Sequence, residues 1–219
     1  MKRLLVTGAS GFLGRAVVKH YRAQGWQVST MGRRKEDNYT LQNIATLEFS
    51  ERFDRLIHTL AINETELMRD LDTSYQMNVV LTRQLVELCK KNEIKEFIYF
   101  STFHVYGRSF GNIDETASVA PKNDYALTHY LSERIVTDLA DYAGYNPLIL
   151  RPTNIYGVPE SLDTFFRWSL VPFDFVRRAV RHMEIRLNNP GVQRNFVSVA
   201  DVIAATELQS CQKILNVFG

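Results

Sequence analysis

With 219 residues, 45% of them hydrophobic and 23% charged, the chain can bury a substantial core, and its formal net charge of +2 excludes a strongly basic or acidic binding surface. The balance holds along its length: residues 1–150 carry 18 basic and 18 acidic side chains, and residues 151–219 carry 8 and 6, so neither nucleic acid nor an anionic membrane is an expected partner. The opening MKRLLVTGAS is too short in apolar residues for a secretory core or a bilayer span, and a cytoplasmic protein with Cys89 and Cys211 as unpaired, buried thiols is expected.

The first segment, KRLLVTG (2–8), is a leucine- and valine-rich run ending in glycine, the pattern of a buried parallel strand. FLGRAVVKHYRAQG follows, with Leu13, Ala16, Val17 and Tyr21 at helical spacing and Gly25 as a stop. WQVSTMG (26–32) and RLIHTLA (55–61) read as the next strands. The stretch between Arg34 and Arg55 is too short for a full strand-helix unit. A helix is expected over 75–92, a strand over 96–102 (EFIYFST), a long helix over 125–143 and a strand over 147–153 (PLILRPT). On the long helix the apolar stripe is Tyr130, Leu131, Ile135, Leu139 and Tyr142, closed by Gly144.

This alternation predicts an α/β fold, a doubly wound, Rossmann-like parallel sheet with right-handed crossovers. After Gly157 the rhythm loosens into an aromatic, proline-punctuated stretch and a short basic helix, FVRRAVRHM. NFVSVADVIAATELQ then reads as strand into helix, and KILNVFG as a last strand. Two units are therefore expected: a dinucleotide-binding domain over 1–157, and over 158–219 a small, incomplete substrate lobe with a strand-helix-strand that returns to the core.

The first strand runs into TGASGFLG (7–14), which opens a helix, the context in which a glycine motif carries meaning. Gly8 and Gly11 let backbone amides approach a pyrophosphate, and a helix N-terminus favours negative charge there. At the end of the second strand, where an NAD site has an acidic residue for the ribose, the sequence has Gly32, Arg33, Arg34 and Lys35. Two guanidinium groups suit a 2′-phosphate, which favours NADP(H), with NAD(H) as the alternative. His20, His58 and His182 form no cluster, so no metal site is expected.

Taken together, the ordered motifs resemble the extended short-chain dehydrogenase/reductase family, the nucleotide-sugar epimerases, dehydratases and reductases. They are TGASGFLG at 7–14, HTLA at 58–61, Asn78 and Val79, STFHVYG at 101–107, the run from Tyr125 to Glu133, LRPTNIYG at 150–157 and VQRNFV at 192–197. The resemblance implies a cofactor site built from Gly8, Ser10, Gly11, Phe12, Leu13, Gly14, Thr59, Leu60, Ala61, Asn78, Tyr125, His129 and Thr153, with Arg33 and Arg34. It also implies that Thr102 bonds the substrate oxygen, that Tyr125 moves its proton, and that Asn154 and Arg194 face a nucleotide sugar. Phe103 and His104 stand where a dehydratase of the family has an acid pair, so sugar dehydration is disfavoured.

Two departures limit the expected activity. His129 occupies the lysine post of Y-x-x-x-K, and a histidine, with an ordinary pKa of about 6.5, lacks the lasting charge that helps Tyr125 ionise. Weakened turnover is the consequence, or a non-catalytic NADP(H)-binding sensor or scaffold. The sequence also stops at Gly219, before the segment that completes the nucleotide-sugar pocket in the family. That pocket is then open, completed by another subunit in a homodimer, or built for something smaller.

Overall fold

The computed structural model describes residues 1–219 apart from 43, 161, 163, 164, 166, 169, 183, 186–190 and 209–211. Its strands, in chain order, are β1 (Arg3–Thr7), β2 (Gln27–Gly32), β3 (Tyr39–Thr40), β4 (Arg55–His58), β5 (Glu96–Phe100), β6 (Asn146–Pro152), β7 (Asn154–Tyr156), β8 (Phe196–Ser198) and β9 (Ile214–Val217). Its helices are α1 (Phe12–Ala23), α2 (Glu64–Leu67), α3 (Leu71–Tyr75), α4 (Leu81–Lys91), α5 (Asp124–Asp138), α6 (Ala140–Ala143), α7 (Val171–His182) and α8 (Val199–Ala204).

Seven strands form one parallel sheet in the order β3-β2-β1-β4-β5-β6-β9, while β7 and β8 pair separately. The order reverses between β1 and β4, which opens a crevice at their carboxyl ends. Period-two alternation along β1 sends Leu4 and Val6 to one face, against Val17, Tyr21, Val202 and Ile203, and Leu5 to the other, against Leu56, Leu85 and Phe97. The two faces thus build two cores, each sealed by helices. Near the end of the chain β8 leads into α8, which packs against the α1 face, and β9 pairs with β6.

Several boundaries differ from the sequence reading. The strand expected to reach Ala61 ends at His58, because the chain there turns to pack over Gly8. The short stretch after Arg34 supplies a two-residue edge strand, β3, and a turn at Ile44–Thr46. The helix expected over 75–92 begins at Leu71, capped by Asp70, and carries a π turn over Gln76–Val80. The stripe expected on the helix over 125–143 holds only in part, with Ile135 and Leu139 half-buried against the core. That segment breaks at Leu139, Leu131 and Tyr142 are exposed, and the buried face is Ala126, Thr128, His129, Ser132, Glu133 and Val136. An apolar-period search misses a helix whose buried face is mostly polar. Cys89 is a free, buried thiol whose pKa burial raises, and Cys211 lies outside the described residues.

Candidate active site

The glycine loop joins β1 to α1 at the crevice. Gly8 has φ +75°, and a Cβ there would stand 2.7 Å from the Leu60 amide and the Thr59 hydroxyl, so only glycine lets the β4 loop close on it. Gly14 meets the carbonyl of Gly8 in the same way, packing helix on loop. Thr59 donates its hydroxyl to the Thr7 carbonyl at 2.9 Å, and Arg15 reaches the Ser10 carbonyl at 3.0 Å. The helix start at Gly11 has no side-chain cap and no acid in its first turn. Its free amides fit an anion such as a pyrophosphate. Phe12 packs edge-on to Phe165 and Phe173 at 5.7 and 5.6 Å, drawing the segment after Gly157 across this loop.

At the end of β2, Arg33 and Arg34 are exposed. Asp37, which the sequence reading did not single out, lies against Gly32 and accepts the Arg34 N–H at 3.0 Å. The strand end therefore presents both charge signs.

Thr102 and Tyr125 meet at the carboxyl end of β5. Thr102 caps the turn Phe103–Tyr106, accepting the His104 N–H at 3.3 Å, and its hydroxyl lies close enough to Tyr125 to lower that phenol's pKa. Asn123 caps α5 by accepting the Ala126 N–H at 2.9 Å, which sets Tyr125 and His129 on the turns facing the site. Burial raises the Tyr125 pKa above the usual tyrosine range, opposed by the positive field of Arg167 and by the nearby Thr102 hydroxyl. The phenol is therefore protonated at neutral pH.

His129 is fully inside the protein, and burial, with His104 nearby, pushes its pKa down to about 3. It is uncharged at neutral pH. Its Nδ1 lies 2.8 Å from the Tyr99 hydroxyl, and its Nε2 is buried without a partner, as is Ser101 Oγ. Asn78, in the π turn, is fully engaged: its Oδ1 accepts the Ile62 N–H at 2.7 Å and its amide donates to Thr128 Oγ1 at 3.1 Å. It holds the loop after β4 against α5, and that loop carries Thr59, Leu60 and Ala61.

A cavity of about 660 Å³ opens beside this pair, lined by His104, Arg108, Lys122, Thr153, Asn154 and Arg194 among others. Thr153 donates to Asn195 Oδ1 at 2.7 Å and Asn154 to the Asn195 carbonyl at 2.8 Å, so Asn195 positions both. Arg194 is exposed at the rim. Under the cavity runs a buried chain of polar groups. Arg151 forks onto Glu133 at 2.8 and 2.5 Å and donates to Tyr106 at 2.8 Å, and Tyr106 donates to Asn216 at 2.9 Å. Every member is satisfied, so these motif residues brace the site. Among the described residues no group of His, Cys, Asp and Glu could hold a metal ion, and no helix is long and apolar enough to cross a membrane.

The architecture and crevice define a Rossmann-like α/β protein. Residues 4–212 match the model of the NAD dependent epimerase/dehydratase family, and the chain belongs to that family. It is 25% identical over 231 residues to human (Homo sapiens) dTDP-D-glucose 4,6-dehydratase, covering 93% of this chain but only 64% of that protein's length. The solved structure of MoeE5 in complex with UDP-glucose and NAD superposes with a TM-score of 0.83 at 23% identity, over 99% of this chain and 76% of that one. RMD from Pseudomonas aeruginosa, complexed with NADPH, gives a TM-score of 0.80 at 24% identity, over 100% and 78%. These two likenesses establish the fold.

Proposed function

We propose that this chain binds NADP(H) in preference to NAD(H) and acts on a nucleotide sugar, with Tyr125 as acid/base and Thr102 as its hydrogen-bond partner. The observation that carries this reading is the nearness of Thr102 to Tyr125, whose chain neighbours Phe103, His104 and Ala126 line the same cavity as Asn154 and Arg194. Gly8, Gly11 and the first amides of α1 would hold the pyrophosphate, Arg33 and Arg34 the 2′-phosphate, and Thr59, Leu60, Ala61 and Thr153 would border the remainder. The bound dinucleotide supplies the hydride chemistry. Residues 1–157 are the cofactor-binding unit in this reading, and 158–219 a partial substrate lobe.

The protein's own task is then proton management. A phenol protonated at neutral pH is in the state to donate a proton to a carbonyl oxygen, and it must first lose that proton before it can act as a base. The relatives' ligands, UDP-glucose with NAD for MoeE5 and NADPH for RMD, support the cofactor and substrate class. The test is calorimetric titration with NADPH and NADH, followed by turnover of nucleotide sugars by the unmodified protein and Tyr125→Phe. Loss of the phenol should lower turnover by roughly 10²–10⁴ with dinucleotide affinity kept. Unchanged turnover in Tyr125→Phe would sink the acid/base role.

One observation favours a second reading. His129 is neutral, so the helix supplies no cation beside Tyr125. A chain that binds the dinucleotide and turns over no sugar is a sensor or scaffold built on the same site.

A further inference from the structure

The polar atoms beside Tyr125 are not arranged at random. The Tyr99 hydroxyl and His129 Nδ1 are 2.8 Å apart, both side chains are buried, and the ring planes tilt by only 35°. A phenol O–H is the stronger donor and an imidazole nitrogen the stronger acceptor, so Tyr99 donates and Nδ1 accepts. The imidazole then carries its proton on Nε2. That atom is buried with no partner, and the Tyr125 ring packs on the same imidazole at a centroid distance of 4.7 Å.

From this geometry we infer that Tyr99 is a positioning residue: it locks His129 as the Nε2–H tautomer, an uncharged donor reserved for an oxygen of the dinucleotide's sugar. The inference rests on the reading that the dinucleotide lies against Tyr125. A buried donor left unpaired is disfavoured, so the site gains when an acceptor arrives. Because Nε2 is sealed, that arrival needs a covering side chain to move aside, and Tyr125 is the neighbour packed on the ring.

Tyr99 has the environment for this task. It is one of the largest fully buried side chains, and burial raises its pKa, so it stays a donor across the working range. The competing network has Nδ1–H donating to the Tyr99 oxygen while Tyr99 turns its proton to Ser132. The Ser132 hydroxyl already gives its own proton to the Asn78 carbonyl at 2.7 Å and can only accept from Tyr99. That alternative would leave Nε2 a bare acceptor. The two networks predict opposite tautomers.

The experiment is nitrogen-15 NMR of His129 in the intact protein, which separates the tautomers directly, followed by titration with NADPH. The expected result is the Nε2–H form, a His129 Nε2 shift on binding, and a mixture of tautomers in Tyr99→Phe with NADPH affinity lowered about fivefold, the worth of one net hydrogen bond. His129→Gln, which keeps an N–H donor, should hold more affinity than His129→Leu. An Nδ1–H tautomer in the unmodified protein overturns the inference, whether or not Tyr99→Phe folds. NADPH binding with the His129 resonances unmoved overturns the donor role alone. Binding of neither NADPH nor NADH overturns the cofactor reading itself, while the tautomer still decides the part played by Tyr99.

Discussion

Two successive stretches of α5 bury polar side chains to opposite ends. At Ser132 and Glu133 every polar atom has a partner: Ser132 donates to the Asn78 carbonyl, and Glu133 takes both prongs of Arg151. At Tyr125 and His129, one turn earlier, the groups are uncharged and Nε2 has none. A buried polar network that closes on itself fixes a scaffold; one left open is a place for something else to bind. The same helix thus carries its own brace beside its candidate site, and the brace reaches β6, β9 and the loop at Tyr106 through Arg151 and Asn216.

The largest expected effect comes from opening the closed network. Glu133→Gln leaves the Arg151 guanidinium buried without its counter-charge and should destabilise the fold by about 3–5 kcal/mol, read by urea denaturation. Glu133→Leu with Arg151→Met should recover much of that loss, because the pair's desolvation is removed with it. If Glu133→Gln unfolds no more easily than the unmodified protein, the network is not the brace that its geometry implies.

Acid is next. His58, bonded to Thr7 at 2.6 Å, and His129 both have pKa values pushed down to about 3 by burial, against 6.5 in the unfolded chain. Between those values only the unfolded chain takes up the protons. The stability present above pH 6.5 is therefore lost as pH falls toward 3, at about 1.4 kcal/mol per pH unit for each histidine once well below 6.5. Denaturation midpoints measured from pH 7 to 4 should fall steadily, and His129→Leu should weaken the dependence. A pH-independent midpoint would break the contrast from the open side.

Much of this was legible in the sequence, and unevenly so. The strand-helix rhythm and the glycine turn located the sheet and the crevice, because period and punctuation are local signals. What failed was also physical. The buried face of α5 holds Thr128, His129, Ser132 and Glu133 beside Ala126 and Val136, so the apolar residues traced only its edge, where Ile135 is half-buried. Tyr99 reads as one more aromatic in the apolar strand EFIYF, and nothing in the alternation tells where its hydroxyl points. Asp37 lies five positions past Gly32, and only the turn at Arg34 brings it back. The brace had a signal: Tyr106, Glu133 and Arg151 are motif residues, but their mutual bonds require the fold.

Charge at residue 129 sharpens the comparison further. His129→Lys places a cation beside Tyr125, which lowers the phenol's pKa and raises sugar-oxidation turnover about tenfold for each unit gained. A raised rate with unchanged KM assigns the effect to proton transfer. Dinucleotide bound by both forms, with turnover in neither, favours the sensor reading.

The smallest effect tests the far end of the crevice. Arg33 and Arg34 are exposed, and Asp37 beside them is the residue type that a ribose 2′-hydroxyl would take. If the guanidinium groups dominate, NADPH binds more tightly than NADH, and Arg33→Ala with Arg34→Ala lowers NADPH affinity about tenfold while leaving NADH alone. If Asp37 dominates, Asp37→Ala weakens NADH instead. Equal affinities in the unmodified protein would remove the NADP(H) assignment and leave the Thr102–Tyr125 pair untouched, because the strand end and the proton site are separate parts of one crevice.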